Sequence, residues 1–515
     1  MYSIPKCTQK FGIEQLWHQS LKSGASTGQP QRPNILFIMA DDLGWADVSW
    51  HDQEMHTPNL AALAHENAVK LEQAYVSHKC SPTRSSFLTG YDPYYIGTQD
   101  GVFQPMEPSG LPLVDLNGNK LTLLSEKMQQ LHHTTYIVGK WHLGYCNEAY
   151  LPTQRGFDHF NGFFTGGQDY FTYESSYKPA NEPRITGFDF WRQETKDDAH
   201  VGRYSTEVYA DLVNDYLTAH KTDFPENPFF MYLAFQAVHV PLQVPDAYKE
   251  RCGQAWAYRQ TYCAMVAAMD DAVGKVVAKL KENAQYENTI IIFSNDNGGH
   301  VTYGASNWPY RGAKGTMFEG GCKAVSFVHS PQFFPGIARE YHELFHISDW
   351  FFTIQAMAGE TITRPADASS FLGHNQWESI KNDQLGPRDL VIYNIARYGS
   401  AIRYNNYKII AGNGGSYQGW SDPHNFGYSA YANSPWEPDP VVYDLLTVNG
   451  SIELSWVNQS LLPGVYTMMR RKLNSLRFEA HAGDIHRDVD TTLGNPANFD
   501  GAYGWGWCEV VQPSK

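Results

Sequence analysis

Asn34-Ile35-Leu36-Phe37-Ile38-Met39-Ala40-Asp41-Asp42 decides the fold. A nearly continuous apolar run is the mark of a parallel strand buried on both faces, and this one stops abruptly at two carboxylates. The pattern returns along the chain. Thr134-Thr135-Tyr136-Ile137-Val138-Gly139 delivers Lys140 and His142, Pro228 to Phe235 delivers His239, and Thr289 to Ser294 delivers Asp296 and Asn297. Between these runs lie helical patterns. Thr57-Pro58 reads as the N-cap and first residue of a helix through about Val69. A longer helix spans Ala257 to Glu282, with Tyr262, Val266, Met269, Val273 and Val277 at helical spacing. Strands alternating with helices predict an α/β fold, a mostly parallel sheet flanked by helices. In such sheets ligands bind beyond the carboxyl ends of the strands. Asp41, Asp42, Lys140, His142, His239, Asp296 and Asn297 all fall there, which scattered surface polar residues would not do.

A second stretch carries the reactive groups: Cys80-Ser81-Pro82-Thr83-Arg84-Ser85-Ser86-Phe87-Leu88-Thr89-Gly90. Pro82 suits a first helical turn and Gly90 suits the far end, so Cys80 is predicted at a helix N-terminus. Backbone N–H groups there favour an anion, and Arg84 about one turn on adds a planar cationic fork. Taken alone, the stretch equally describes a buried structural Cys before a helix that carries an Arg.

From about residue 390 the pattern changes. Leu390-Val391-Ile392-Tyr393, Ser400-Ala401-Ile402-Arg403, Tyr407-Lys408-Ile409-Ile410 and Val442-Tyr443-Asp444-Leu445 read as short strands without intervening helices. The predicted organisation is an N-terminal arm over 1–30, a catalytic α/β domain over 31–388 and a smaller C-terminal domain with an antiparallel sheet over 389–515. Gly412 to Pro440 reads as an aromatic, Gly/Pro-rich loop. No internal repeat is present.

Composition bounds the partners. With 42% hydrophobic and 18% charged residues the 515-residue chain is ordinarily globular, and 39 basic against 54 acidic residues give −15. That excess argues against nucleic acid and anionic membranes, so any anion site must be built locally. The 20 His would offset much of the negative charge in an acidic lumen. No run is long enough to span a bilayer. Of 7 Cys, setting Cys80 aside leaves six (Cys7, Cys146, Cys252, Cys263, Cys322, Cys508), enough for three disulfides. Asn449-Gly450-Ser451 and Asn458-Gln459-Ser460 are glycosylation sequons. These features suit the secretory route, extracellular or lysosomal. Met1 to Lys6 carries no apolar signal core, so either a signal peptide is missing from this sequence or the chain is not secreted.

The Cys80 stretch resembles the C-x-P-x-R signature of the type I, formylglycine-dependent sulfatases, with flanks most similar to the arylsulfatase B branch. The resemblance extends through Pro33-Asn34-Ile35-Leu36 to Trp45, Val138-Gly139-Lys140-Trp141-His142-Leu143-Gly144 and Pro152-Thr153-Gln154-Arg155-Gly156-Phe157-Asp158. It continues in Ser294-Asn295-Asp296-Asn297-Gly298-Gly299 and Asn307-Trp308-Pro309-Tyr310-Arg311-Gly312-Ala313-Lys314. It implies an alkaline-phosphatase-like large domain and conversion of Cys80 to formylglycine by a formylglycine-generating enzyme. The implied metal is Ca²⁺, with Mg²⁺ the alternative, held by Asp41, Asp42, Asp296 and Asn297 beside residue 80. Hard oxygen donors suit these ions better than zinc.

By the same resemblance the substrate is a small sulfate monoester, with Arg84, Lys140 and Lys314 and the metal neutralising its oxygens. A gem-diol oxygen at residue 80 attacks sulfur while His239, assisted by Lys314, protonates the departing alcohol. The other hydroxyl, deprotonated by His142, then expels sulfate. His300 is expected at the rim. A sulfated sugar is the expected substrate, gripped by rim aromatics in Tyr170 to Tyr173, Phe188 to Trp191, and Trp420, Tyr428, Tyr431 and Trp436. Two departures from the family pattern stand out. His132-His133 replaces a Gly-Tyr, removing the usual helix stop, and Thr447 to Ser451 replaces a D-P-x-E segment. The alternatives are a phosphoester or phosphonate hydrolase of the same superfamily and a catalytically silent carbohydrate-binding relative. The sequence leaves the oligomeric state open.

Overall fold

The computed structural model describes residues 32–253, 256–363, 369–424, 439–479 and 483–512. The expected arm over 1–30, Cys7 and the loop residues Tyr428, Tyr431 and Trp436 lie outside them. Asn34–Ala40 forms β1, every side chain buried, at the middle of a ten-stranded sheet. The other strands are Ala68–Leu71 (β2), Thr134–Lys140 (β3), His159–Phe163 (β4), Trp191–Arg192 (β5) and Thr195–Lys196 (β6). Phe229–Ala234 (β7), Thr289–Asn295 (β8), Phe327–His329 (β9) and Ala338–Tyr341 (β10) complete it. The spatial order is β10-β2-β9-β8-β1-β7-β3-β4-β5-β6. The central strands β8, β1, β7, β3 and β4 run parallel, in a register that pairs Ala40 with Asn295, Met39 with Ala234, and Ala234 with Gly139. Strand ends that follow one another in sequence by hundreds of residues therefore finish side by side.

Helices cover both faces. On one lie Pro58–His65 (α1), Ser205–Asp223 (α4) and Ala257–Glu282 (α5). On the other lie Cys80–Thr89 (α2), Leu124–Gln130 (α3) and Asp349–Met357 (α6). Phe37 of β1 packs tilted against Phe87 of α2 at 4.2 Å and meets Trp350 of α6 edge-on at 5.8 Å. The smaller sheet is antiparallel, Leu390–Ile395 (β11), Gly399–Tyr404 (β12), Tyr407–Gly412 (β13) and Val441–Asp444 (β14) in sequential order, backed by the helix Pro463–Glu479 (α7).

Four expectations are corrected. The helix from Pro58 stops at His65, not Val69. Asn67, with φ 52°, turns the chain, and Ala68–Leu71 pairs as an edge-side strand instead. Asn tolerates this left-handed backbone better than most residues, and Val69 suits a sheet. The missing Gly stop after α3 is supplied by His132 itself, which adopts φ 60°. Among the described residues two disulfides form, Cys146–Cys508 and Cys252–Cys263, while Cys322 remains a buried thiol near the Thr316 carbonyl. The proposed rim aromatics Tyr170, Tyr173, Phe188, Phe190 and Trp191 are buried in the core, and Trp420 donates to the Ile452 carbonyl and packs on Arg311. Among the described residues no helix is long and apolar enough to cross a membrane.

A buried ion pair ties α6 to the start of the smaller sheet. Asp349 accepts from Arg388 Nε at 2.8 Å and from the backbone of His346 and His374. Burial opposes its charge, but Arg388 outweighs it and holds the carboxyl below its ordinary value. Asp349→Ala is expected to destabilise the fold by about 3–5 kcal/mol, because it strands Arg388 without its partner. The Asp349 contribution is complete above an unfolded aspartate's pKa of about 4 and fades as pH falls through the lower folded value. Thermal unfolding of both proteins at neutral pH and near pH 3 checks this: the deficit should shrink in acid.

Candidate active site

The register of the central strands explains why the chemistry gathers at one place. Asp41 and Asp42 follow β1, Asp296 and Asn297 follow β8, Lys140 closes β3 and His239 lies just past β7. Asp42 and His142 adopt φ 60° and 56°, so both strand exits turn sharply at non-glycine residues. Such backbone is costly and held only by dense surroundings. Cys80 occupies the first turn of α2, with Gly90 closing the helix at φ 74°. All ten residues singled out from the sequence meet here.

Oxygen atoms dominate the floor. Cys80 Sγ lies 3.3 Å from Asn297 Oδ1 and 3.5 Å from Asp41 Oδ1. Asn297 turns its amide nitrogen to Asp42 Oδ1 at 2.7 Å, leaving its oxygen toward the cluster. Each carboxylate has a cation beside it: Arg84 Nη2 is 2.8 Å from Asp296 Oδ2, Lys314 Nζ is 2.7 Å from Asp42 Oδ1, and Lys140 contacts Asp41. Ligand atoms of Asp41, Asp42, Cys80 and His239 fall within 4.8 Å of one another. A carboxylate oxygen keeps lone pairs after one ion pair, so the oxygens of Asp41, Asp42, Asp296 and Asn297 fit a hard dication. Arg84 is fully buried, its fork on Asp296 with further bonds to Tyr232 Oη and the Lys140 carbonyl, so it buttresses the carboxylates.

The two histidines have defined tautomers, because a carbonyl can only accept. His239 Nδ1 must donate to the Val240 carbonyl at 2.7 Å, leaving Nε2 near Asp42, 3.8 Å away. His142 Nε2 must donate to the Phe103 carbonyl at 3.0 Å, leaving a buried Nδ1 without a partner. Burial, helped by Lys140 and Arg84, holds His142 well below its ordinary pKa, so the ring is neutral and carries a basic lone pair. Burial opposes the Asp42 carboxylate, yet Lys314 and His239 outweigh it and keep its pKa low. Burial likewise opposes the Lys314 ammonium, and Asp42 above all outweighs that. Gly166 and Gly167 let the backbone lie against both rings: a Cβ at Gly166 would sit 2.8 Å from His142, and one at Gly167 3.1 Å from His239.

Lys314 is held from two sides. Its N–H donates to the Gly299 carbonyl at 3.2 Å and that of Gly315 to His78 at 2.8 Å. The segment after β13 grips the same turn through Met317 N–H to Gly414 O and Gly312 N–H to Gly419 O, both 2.8 Å. Behind it, Glu319 pairs with Lys408 of β13 at 3.0 Å in a buried network.

Above this floor opens a cleft of about 1250 Å³, onto which Cys80, His142, His239 and Lys314 face. His300 lines it, as expected for the rim. Sequence reasoning missed Lys79, Glu107, Tyr258, Tyr303 and the late residues Asp484, His486 and Arg487. Tyr303 stands only a few residues beyond Asn297, a proximity that offered a clue; the 484–487 segment offered none, since only the tertiary fold brings it to the cleft.

Comparison with known proteins fits this arrangement: the chain belongs to the sulfatase family, hydrolases of sulfuric esters, whose profile matches residues 33–360. It is similar to arylsulfatase J of Mus musculus, 35% identical over 93% of this chain and 81% of that one. Human N-acetylgalactosamine-6-sulfatase is 29% identical over 72% of this chain and 70% of its own. Among solved structures, Ps i-CgsB in complex with k-i-k-neocarrahexaose superposes with a TM-score of 0.73 at 26% identity, covering 91% of this chain and 98% of that chain.

Proposed function

We propose that this sulfatase hydrolyses sulfate monoesters of a sulfated sugar or sugar-like small molecule, with aryl sulfates accepted as surrogates, and that residue 80 acts as formylglycine. The observation that carries this reading is the position of Cys80 Sγ, at a helix start and 3.3–3.5 Å from two oxygens of the hard-donor cluster. The metal is proposed as Ca²⁺, Mg²⁺ being the alternative, held by Asp41, Asp42, Asp296 and Asn297 beside residue 80. Bound there, the cation supplies positive charge to the sulfate oxygens, and the hydrated aldehyde supplies the nucleophilic oxygen.

The chain's own groups do the rest. Lys314, partly open to the cleft, faces the incoming anion, while Lys140 and Arg84 keep the carboxylates charged and fixed. His239 presents Nε2 for the proton that passes to the departing alcohol, and Lys314 beside the same Asp42 biases that nitrogen toward release. His142, neutral with an open Nδ1, accepts the proton from the hydroxyl at residue 80 that is left behind. The catalytic part is assigned to 31–388 and the smaller part to 389–515. Maturation by a formylglycine-generating enzyme and passage through the secretory route, to the lysosome or outside, accord with two disulfides and exposed Asn449 and Asn458 sequons.

Turnover of 4-nitrophenyl sulfate against 4-nitrophenyl phosphate, and of sulfated sugars against phenyl sulfate, tests the proposal. The sulfate ester is expected to win by at least about 100-fold, given how strongly a site built for one charge state rejects another. Preference for the phosphate, or no gain from a sugar portion, would overturn it.

A further inference from the structure

Tyr170, Tyr173, Phe188, Phe190 and Trp191, expected to grip a sugar, are in the core, but other rings occupy the cleft. His300 follows Gly299, whose carbonyl holds the Lys314 N–H, so the row begins at the catalytic floor. His300 meets Tyr303 at 4.7 Å between ring centroids, Tyr303 approaches Tyr258 at 6.3 Å, and Tyr258 meets Trp256 at 4.9 Å. Tyr258 is 48% exposed and Tyr303 39%; among the other described tyrosines, Tyr398 alone is as exposed. His300, Tyr258 and Tyr303 all line the same cleft as Cys80 and Lys314.

These rings are not loose surface residues. Tyr258 sits in the first turn of α5, where the next residue, Arg259, is buried and bound to Asp47, to Asp52 at 3.4 Å and to the Gly304 carbonyl at 3.0 Å. Tyr303 belongs to a tight turn closed by Gly304 at φ 97°, where a Cβ would sit 2.6 Å from the Tyr258 carbonyl. Only glycine permits that approach, and it locks the two tyrosines side by side. Rigid aromatic faces with wet edges are what a sugar ring needs, apolar contact on one side and hydrogen bonds around it. The cleft, at about 1250 Å³, also exceeds the roughly 300–1,000 Å³ of a site for one small molecule.

We infer that Tyr258 and Tyr303 form a second sugar subsite, reached past His300 from the sulfate-cleaving floor, so that the preferred substrate is a sulfated oligosaccharide and not a lone sulfated sugar. The inference rests on the sulfated-sugar reading above and adds to it the length of the substrate. The ring next to the sulfated one lies on the tyrosine faces, and polar groups of the cleft meet its hydroxyls.

The test compares kcat/KM for N-acetylgalactosamine 4-sulfate with that for a chondroitin tetrasaccharide bearing the same sulfated sugar at its non-reducing end. The wild-type enzyme is expected to favour the tetrasaccharide about 10-fold. Tyr258→Ala and Tyr303→Ala should each cut that ratio about 2- to 10-fold, through KM, at unchanged melting temperature. Tyr258→Phe and Tyr303→Phe should retain it, since the ring face makes the contact. A ratio near one in the wild type, or a ratio preserved in the double alanine variant, overturns the second subsite. If the wild type cleaves phenyl sulfate but neither sugar, the sulfated-sugar reading itself falls. Cleavage of the monosaccharide without preference for the longer chain removes the second subsite alone.

Discussion

Cys80→Ala is expected to lower aryl sulfate hydrolysis by at least about 10⁴-fold, the scale on which hydrolases lose activity when the nucleophile is deleted. The side chain is small, buried at the helix start and joined to its neighbours only by weak thiol contacts, so folding should be unaffected. Burial, together with Asp296 and Asp41, pushes the Cys80 thiol above its ordinary pKa, which makes an unmodified cysteine a poor nucleophile at this spot. Peptide mass spectrometry of active wild-type protein should therefore find an aldehyde at residue 80. Active enzyme carrying only the thiol would sink the formylglycine assignment. Cys80→Ser supplies the complementary case: a hydroxyl in place that can accept a sulfuryl group but has no second oxygen to expel it.

Asp296→Ala should be nearly as damaging, with a loss of about 10³-fold or more. One oxygen donor of about four disappears from the proposed metal site. The same change frees Arg84, whose Nε and Nη2 lie 3.1 and 2.8 Å from Asp296 Oδ2, leaving a fully buried guanidinium short of its partner. Asp296→Asn separates the two effects, because it keeps the shape and an oxygen while removing the charge. Both variants should lose bound metal by elemental analysis, with the alanine variant also losing stability. Full activity after exhaustive chelation would contradict the whole metal assignment.

The gathering of these side chains at one rim was legible because a parallel sheet imposes a rule on sequence. Every strand must be an apolar run, and whatever polar residue ends the run lands on the same rim. Asp41, Lys140 and Asp296 could be grouped before any coordinate was known, since β1, β3 and β8 announce themselves by composition. The turn at Asn67 was not legible: the expected helix and the strand both claim Ala68 and Val69, and only pairing with β9 and β10 decides between them. The rim failed for a related reason. Tyr170 and Tyr258 are the same residue type near comparable loops, yet one is buried with its hydroxyl on the His239 carbonyl and the other stands in the cleft. Side-chain direction in a loop is set by neighbours distant in sequence, and no local periodicity encodes it.

The grip of the smaller sheet on the Lys314 turn bears on what counts as the smallest working enzyme. The family-matched stretch ends at residue 360, well before β13, which supplies Lys408, and the segment after it, which supplies the carbonyls of Gly414 and Gly419. A fragment cut there would keep the carboxylates, the cysteine and both histidines in sequence, yet Glu319 would lose its buried lysine and the Lys314 turn one of its two sets of anchors. The border of the family-matched stretch and that of mechanical self-sufficiency do not coincide in this chain.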